Sequence, residues 1–566
     1  MKNSSNNTNE NTQAQIKPIR NTFLIQNILK HIWLSQTIII VFFFSTSYVN
    51  EEYAMYDLRN EFYHDEIHHA ILSSLQPLDS KPIDLKTAGQ VNHLYRENRY
   101  NALWTLNQYP GNPAIELMEL LNNAPFYGLD KDLYSYNQLV LLMNKMQHAD
   151  LTDSLLYYRK QFELLLTDAC FLFAIHLNRG LIATDTLDSE KTARIFADQI
   201  YTGIKNNDLA VRILSMQPQN PTYLYLQKAL EKFVTNNDIS DLVTEFSEEK
   251  NDSAITIEKT KQVLLRLGYL AEQTADNDSV FKTALMAFQK YHSIKADARI
   301  GRETREALSM STREKFLMAA LTLDKIRKDN EFGNDYIFVN IPSFQLKLFR
   351  DKKATKTFNV VVGKPSTPTP ELSSRVEAIV TAPEWNVPRT ITMNELLPLV
   401  KKDSTYLTRN NFKLIDKQLN PVNIHTVSWK DMNSENFNYY FIQNSGSSNA
   451  LGLLKFSFKN PYRVYIHDTP SKRYFNYDTR AYSHGCIRLQ NPDQLAMYLV
   501  DNNLHSDQKP DITQLIEKKI RKDIALTEPI DIHIRYLTCE ADEELNLYFY
   551  KDIYNKDSKR IHSLFN

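Results

Sequence analysis

The sequence predicts a multidomain α+β protein in which a mainly helical first half precedes a mainly β region. The 566 residues exceed the roughly 250–300 residues over which a single core usually grows, so several domains are expected. Only 12 residues are glycine, against a usual share of about 7%, which is typical of a helix-rich chain. Near residue 336 the hydrophobic period changes from three or four residues to two, which indicates that strands begin there.

Charge and cysteine content exclude two classes of protein. Lys and Arg (66) nearly balance Asp and Glu (67), so the composition gives no electrostatic reason to expect a nucleic-acid partner. The three cysteines, Cys170, Cys486 and Cys539, allow at most one disulfide, so the chain is not a disulfide-stapled scaffold. Stability must therefore come from packing.

The N-terminal region carries a targeting segment. Residues 1–31 are predicted to be a disordered cytoplasmic tail, and 32–49 have no charge over 18 residues, which is the lower limit for crossing a bilayer. Basic residues precede this stretch and Glu51 and Glu52 follow it, so the bulk of the chain is expected outside the membrane. A cleaved signal peptide ending near 45–47 and a buried core helix are the alternatives. The anchor and the signal peptide both export the rest of the chain.

Residues 53–247 show the three- and four-residue spacing of a helical domain. The clearest stretch is 161–177, where apolar residues surround Cys170 and predict that this thiol lies in a core. The polar stretch 248–254 is predicted to be a linker.

A compact three-helix unit is predicted over 255–312. Its helices are joined by a turn at Leu267-Gly268-Tyr269-Leu270, and a second turn at Ile300-Gly301 precedes the last helix. With Ala284 to Gln289 in the middle helix, these motifs resemble the peptidoglycan-binding module. The family usually has glycine where this chain has Ala298, which affects the expected sugar-binding groove. A purely structural spacer is the alternative.

Residues 335–505 are predicted to form the mainly β domain. The expected strands lie at 336–349, 357–364, 376–388 and 463–468, with a helix at 493–503. An insertion at 390–450 has its own predicted helix and much polar sequence, and long insertions of this kind are usually functional or disordered. The stretch 506–566 is left as a C-terminal extension.

The most informative cluster surrounds Cys486. A catalytic cysteine needs a base or a positive charge nearby and donors for the oxyanion that forms on attack. His467 ends a predicted strand and can supply the base, while Arg488 supplies positive charge. Gly485 allows a carbonyl to approach the backbone N–H groups at 485 and 486. Asp468 and the carbonyls beside it are candidates for orienting the imidazole.

Two other interpretations of the cluster remain open. His467, His484 and Cys486 could bind Zn²⁺ with water in the fourth position. That arrangement leaves Gly485 unexplained and places the cation of Arg488 beside a metal. Alternatively, Cys486 is an inert core residue, as lone cysteines often are.

The spacing of these residues resembles the L,D-transpeptidase (YkuD) signature. His467 is followed by fifteen residues and then by Ser483-His484-Gly485-Cys486. Further matching stretches lie at 360–370, 383–388 and 451–472. Many members of the family have Asn two positions after the cysteine, whereas this chain has Arg488, as in the larger YcbB-like subgroup.

The subgroup resemblance extends upstream and implies the domain order. Residues 94–105, 122–134 and 164–180 resemble the helical scaffold domain of that subgroup, which also carries an insertion at the position of 390–450. The resemblance therefore implies a scaffold domain, a peptidoglycan-binding-like module and a YkuD-type catalytic domain with a lid insertion.

The resemblance implies a cysteine acyltransferase that forms 3→3 crosslinks in peptidoglycan through a thioester. Stem peptides would be donor and acceptor, on the periplasmic side of a membrane, with no cofactor and no metal. The implied catalytic set is Cys486, His467, Gly485 and His484, and the implied substrate-binding set is Arg488, Ser483, Asp468 and Trp385.

Three other functions stay open at this level. Water could replace the acceptor amine, which would make the chain an L,D-carboxypeptidase. A zinc-dependent wall hydrolase and a wall-binding protein with a degenerate catalytic domain are the others.

Overall fold

The structure of the chain is a computed structural model. It describes residues 67–75, 83–106, 109–149, 153–181, 190–240, 253–275, 277–292, 294–329, 332–505, 507 and 509–565. The predicted cytoplasmic tail and membrane or signal segment, 1–49, lie outside the described residues, as does most of the predicted linker. No helix among the described residues is both long enough and apolar enough to cross a membrane.

The first part of the chain is helical, as predicted, and is arranged around one long buried helix. Its helices are α1 (Ala88–Glu97), α2 (Asn112–Asn122), α3 (Tyr136–His148), α4 (Asp153–Arg179), α5 (Glu190–Asn206), α6 (Leu209–Ser215) and α7 (Pro221–Asn236), with a two-residue hairpin of β1 (Thr105–Leu106) and β2 (Tyr109–Pro110). Helix α4 is buried on every side over its second half, because residues 164–177 are apolar almost without interruption. Cys170 lies fully buried in this core, as predicted.

A buried carboxylate fixes the loop between α1 and β1 to helix α4. The carboxylate of Glu163 accepts hydrogen bonds from the Tyr95 hydroxyl (2.7 Å) and from the backbone N–H groups of Leu103 (2.8 Å) and Trp104 (3.0 Å). It also accepts from both the N–H (2.8 Å) and the hydroxyl (2.7 Å) of Thr105. Burying a charge is costly unless its hydrogen bonds are made, and here they are made.

The three predicted helices of the next unit are confirmed as α8 (Ser253–Arg266), α9 (Asp278–Tyr291) and α10 (Arg302–Leu308). They enclose a small core of their own. Tyr291 contacts Tyr548 (ring centroids 5.3 Å), and Lys551 pairs with Glu306 (3.1 Å). The C-terminal part of the chain therefore packs against this three-helix unit.

Helix α11 (Thr312–Lys328) joins the helical part to the β region. Ser311 and Glu314 form a reciprocal capping box at its start. Arg327 then donates to the Tyr223 hydroxyl (2.9 Å) on α7 and to the carbonyl of Tyr127 (2.6 Å). The helix is thus held by the scaffold on one side and by the β region on the other.

The β region is built on one mixed sheet of nine strands. The strands are β3 (Tyr336–Asn340), β4 (Gln345–Arg350), β5 (Lys353–Gly363), β6 (Leu372–Thr381), β11 (Leu454–Phe458), β12 (Ile466–His467), β13 (Ala481–Ser483), β14 (Ile487–Leu489) and β15 (Lys522–Arg535). Their order is β13-β5-β14-β12-β11-β6-β15-β3-β4, and β4 also pairs with β5. The sheet therefore closes on itself around an apolar core.

The C-terminal segment completes this sheet rather than extending beyond it. Strand β15 lies between β6 and β3, so residues past 505 occupy its middle. Helices α13 (Pro492–Asn503) and α14 (Ile512–Glu517) lead to β15; the strands β16 (Cys539–Ala541) and β17 (Leu547–Phe549) and the helix α15 (Asp557–Phe565) follow it. The role of 506–566, which the sequence left open, is therefore structural at least in part.

The insertion forms a subdomain with its own core. A small sheet has the order β7-β10-β8-β9, from β7 (Trp385–Asn386), β8 (Phe412–Asp416), β9 (Pro421–Val422) and β10 (Tyr439–Gln443). The helical stretch 389–402 includes helix α12 (Leu397–Lys402), preceded by a π-helical turn at Thr392–Leu396. This segment, residues 390–450, for which we keep the name lid subdomain from the sequence prediction, buries an aromatic cluster that includes Trp429, Phe437 and Phe441.

Candidate active site

Strand pairing places the predicted nucleophile and base on the same face of the sheet. Strands β12 and β14 run parallel, with Ile466 opposite Ile487 and His467 opposite Arg488. Ile466 and Ile487 are fully buried in the core. Because side chains alternate along a strand, His467, Arg488 and Cys486 point to the opposite face. From standard strand spacings, the Cα atoms of His467 and Cys486 lie about 8 Å apart, which brings their side chains within reach of each other.

Two neighbours on this face were not singled out from the sequence. Lys455 on β11 pairs with His467, and Tyr465 precedes His467 by two residues. The Lys455 ammonium lies 4.3 Å from the centre of the Tyr465 ring, and that ring contacts the imidazole of His467 (centroids 5.6 Å). Because residues two apart on a strand face the same side, the predicted strand 463–468 could have indicated that Tyr465 lies beside His467.

The turn before Cys486 is fixed by hydrogen bonds. Gly485 has φ of +110°, a conformation that favours glycine. The Ser483 hydroxyl donates to the carbonyl of Cys486 (2.5 Å) and accepts from the N–H of Gly485 (3.1 Å), while Thr369 donates to the Gly485 carbonyl (2.9 Å). Ser483 therefore supports the turn from a buried position, and Thr369 supports it from the neighbouring loop.

The expected pair of oxyanion donors is reduced to one by this turn. The N–H of Gly485 is already used by the Ser483 hydroxyl, because the serine side chain folds back over the turn. The N–H of Cys486 has no hydrogen-bond partner among the described residues. The available donor at the nucleophile is thus its own backbone N–H.

His467 is held as a neutral imidazole by its surroundings. Its Nδ1 lies 2.5 Å from the main-chain carbonyl oxygen of Asp468, and because a carbonyl only accepts, Nδ1 carries the proton. Burial, and after it the positive charge of Arg488, lowers the pKa of His467 to about 3, although the carbonyls of Asp468 and Leu451 favour the protonated form. The other nitrogen, Nε2, is therefore free to accept a proton at neutral pH.

The carboxylate of Asp468 is used inside the loop. It accepts from the N–H groups of Leu453 (2.9 Å) and Thr469 (2.7 Å) and pairs with the ammonium of Lys472. A Cβ at Gly452 would overlap this carboxylate. Both carboxylate oxygens of Asp468 are therefore already bonded within the protein, so the predicted contact with substrate has no free oxygen. The main-chain carbonyl of Asp468, in contrast, orients His467.

The thiol of Cys486 is mostly in its neutral form at pH 7. Burial raises its pKa, and hydrogen bonds from Tyr465 together with the charges of Lys455 and Arg488 act in the opposite direction. Burial is also the main cause that raises the pKa of the Tyr465 hydroxyl, which a hydrogen bond from Trp385 lowers in part. Trp385 therefore acts on the thiol through Tyr465.

Arg488 is a partly buried cation whose donors are not all used. Its Nε is buried and has no partner among the described residues. The guanidinium lies 5.7 Å from the centre of the Tyr474 ring. Burial lowers the pKa of Arg488, and Tyr474 and Cys486 oppose that effect. An unsatisfied guanidinium donor beside a thiol is a ready partner for an oxygen of a bound molecule.

His484 links the cysteine turn to the lid subdomain. Its Nε2 lies 2.5 Å from a carboxylate oxygen of Glu395 in the π-helical turn, and its side chain remains 32% exposed. His484 therefore reaches the lid subdomain. Among the described residues, no three His, Cys, Asp or Glu side chains lie close enough together to hold a metal ion. The structure therefore does not form the zinc site that the sequence left open, which would have used His467, His484 and Cys486.

Family models match three segments of the chain. Residues 334–502 match the L,D-transpeptidase catalytic domain (YkuD), residues 89–230 match the scaffold domain, and residues 256–308 match a family described as "Putative peptidoglycan binding domain". The resemblances stated from the sequence are confirmed at the level of these three domain families.

Individual proteins similar to this chain are also described as L,D-transpeptidases. A protein of Haemophilus influenzae, described as "Putative L,D-transpeptidase", is 33% identical over 238 residues, which are 42% of this chain and 47% of that protein. The match thus spans about half of the relative's length. Two solved structures overlap with 36% of this chain. An L,D-transpeptidase from Mycobacterium smegmatis is 13% identical, with 58% of its chain covered and a TM-score of 0.16. L,D-transpeptidase 1 of Mycobacterium tuberculosis is 14% identical, with 62% of its chain covered and a TM-score of 0.14.

Proposed function

We propose, from the premise that residues 334–502 form an L,D-transpeptidase catalytic domain, that this chain joins peptidoglycan stem peptides through a thioester on Cys486. The product would be a direct crosslink between two third-position residues. The observation that carries the proposal is the shared face of β12 and β14, which brings a thiol, a neutral imidazole and an incompletely bonded guanidinium together.

In the first step the thiol attacks the carbonyl carbon that links the third residue of the donor stem to a terminal D-alanine. His467 Nε2 takes the thiol proton as the C–S bond forms, and then gives that proton to the departing nitrogen as the C–N bond breaks. Because both groups are neutral at the start, the proton moves during attack. D-Alanine leaves, and the acyl group remains on Cys486 as a thioester.

In the second step an amine on another stem attacks the thioester carbon. His467 accepts the proton of that amine and returns it to the sulfur as the C–S bond breaks. The new amide replaces the one that was lost, so the sequence of steps needs no external energy source. In both steps the N–H of Cys486 and the guanidinium of Arg488 would stabilise the oxyanion.

The lid subdomain would protect the thioester from water. The contact between His484 and Glu395 would hold it against the cysteine turn. Trp385, next to the subdomain, is hydrogen-bonded to Tyr465, which is in turn hydrogen-bonded to the thiol. A thioester must survive until an amine arrives, so a cover over this face favours transfer over hydrolysis.

The remaining parts of the chain would bring the enzyme to its substrate. The three-helix unit matched over 256–308 would retain the protein on the cell wall and raise the local concentration of stems. The uncharged stretch 32–49 would hold it at the membrane or direct its export, which places the reaction on the outer side of the membrane.

Mass spectrometry of the products tests the proposal. Purified chain and isolated tetrapeptide stems should give a covalent adduct on Cys486, released D-alanine and a crosslinked dimer that lacks one terminal alanine. Hydrolysed tripeptides without dimers would instead indicate a carboxypeptidase. Turnover without any adduct on Cys486 would contradict the thioester.

A further inference from the structure

Three tyrosine rings lie in mutual contact beside the candidate active site. Tyr474 and Tyr482 are stacked, with centroids 4.9 Å apart and an angle of 23° between their planes. The ring of Tyr477 lies 5.9 Å from Tyr474 and 5.8 Å from Tyr482. All three belong to the segment that connects His467 to Cys486. We call these three residues the tyrosine platform.

The platform is open to solvent on one side. Tyr477 is 44% exposed and Tyr482 is 42% exposed. Tyr462 is more exposed still, at 59%, but it has no ring neighbour among the described residues. What distinguishes the platform is therefore the joined aromatic surface, since single exposed aromatic residues are common and need no explanation.

The platform is continuous with the face that carries the nucleophile. The guanidinium of Arg488 lies over Tyr474, and Arg488 follows Cys486 by two residues, about 6.6 Å along the strand. The platform therefore lies one arginine side chain away from the strand that follows the thiol. On its outer side, Arg473 lies 5.3 Å from the centre of the Tyr474 ring and adds a second positive charge.

A platform next to this face fits the place of the sugar to which a donor stem is attached. When the third residue of the stem lies at Cys486, the first two residues span up to about 7 Å, and the group that joins the stem to the glycan adds a few ångströms. The C–H face of a pyranose ring is apolar and slightly positive, so it packs well on the negative face of an aromatic ring. Tyrosine hydroxyls can bond the ring substituents.

We propose that the tyrosine platform is a subsite for an N-acetylhexosamine ring of the glycan strand that carries the donor stem. The proposal rests on the proposed function, because it uses the position of the stem on Cys486. In this proposal, the segment before the cysteine turn favours stems that are attached to glycan over free peptides.

Calorimetric titration of the full chain carrying Cys486→Ala tests the subsite without turnover. The two ligands are a free tetrapeptide stem and the same stem attached to its disaccharide. With the platform intact, the disaccharide should improve the dissociation constant about tenfold. In the double variant Tyr477→Ala/Tyr482→Ala this ratio should fall to about one, and in Tyr477→Phe/Tyr482→Phe most of it should remain, because the rings are kept.

Tyr462→Ala is the matched control and should keep the ratio at about ten. A ratio near one with the platform intact, or an unchanged ratio in the double alanine variant, would overturn the proposal. So would an equal loss of affinity for both ligands, which would mean that the platform contacts the peptide. The thioester of the wild-type chain is measured separately, so its absence with a retained ratio would count against the proposed reaction alone.

Discussion

A buried polar centre and a partly buried one differ in how completely they are bonded. Around Glu163 in the scaffold, five donors converge on one carboxylate. Around Cys486 in the catalytic sheet, the N–H of the cysteine and the Nε of Arg488 have no partner among the described residues. Unsatisfied buried donors cost free energy, so the difference indicates that the first centre supports the fold and the second is prepared for a ligand.

The largest expected effect tests the reactive centre directly. Cys486→Ala should reduce acyl transfer more than about 10³-fold, because the only atom that forms the covalent bond is lost. The family resemblance suggests a β-lactam of the carbapenem type as an acylating ligand, and the substitution should also abolish its covalent capture, read as an adduct by mass spectrometry. The controls are Cys170→Ala and Cys539→Ala, since both thiols are fully buried. An adduct that persists in Cys486→Ala would refute the assignment.

The scaffold centre should show its effect in stability. Glu163→Ala leaves five donors without their acceptor, so we expect the free energy of unfolding of the scaffold to fall by about 3–5 kcal/mol in urea denaturation. Carbapenem capture by the molecules that remain folded should not change. The exposed Glu119→Ala on α2 is the control and should change stability by less than about 0.5 kcal/mol. Equal losses in both variants would contradict the contrast.

His467→Ala should slow acylation on the order of 10²-fold, which is the usual contribution of a general base. The thiol remains, so slow capture should persist and can be followed by mass against time. A loss as complete as that of Cys486→Ala would mean that His467 also holds the fold of the site, and unfolding curves would show it.

The pH dependence of the thiol sharpens the same contrast. Burial raises the pKa of Cys486 and lowers that of His467 to about 3, so both groups are neutral between about pH 4 and pH 8. Loss of the proton from the thiol makes it more reactive, so alkylation by iodoacetamide should rise with pH, without a plateau below about pH 8.5, the ordinary value for cysteine. A plateau starting near neutral pH would show that the thiolate is already formed.

The smallest expected effect concerns the lid contact. Glu395→Gln keeps the size of the side chain but weakens its bond to His484, so the ratio of hydrolysed to crosslinked product should rise about two- to fivefold. Replacement of 390–450 by a short linker should give a larger change in the same direction. An unchanged ratio in both variants would rule out the protective role of the lid subdomain.

Much of the architecture could be predicted because periodicity and motifs are local. The three-helix unit and the strands at 336–349 followed from spacing within short stretches, and the placement of Cys486 and His467 on one face followed from the strand expected at 463–468. Lys455 could not be found this way, because only the register of β11 against β12 places it opposite His467. The engaged N–H of Gly485 was also missed, since it depends on the side-chain rotamer of Ser483.

Strand β15 illustrates the same limit. Residues 522–535 alternate in hydrophobicity, yet Pro529 interrupts the pattern and nothing local shows that the strand pairs with residues almost two hundred positions earlier. The pairing shifts register between Ala525 and Ile530, which accommodates the proline.

That strand also sets the order in which the enzyme can be assembled. Tyr336 pairs with Asp531, so the closed sheet beneath the thiol needs two segments that emerge far apart in time during synthesis. Pairings of such long sequence separation form slowly, because the loop between them must be closed first. The chain thus passes through a period in which Cys486 has emerged but the sheet beneath it is incomplete, and the proposed reaction must wait until β15 is in place.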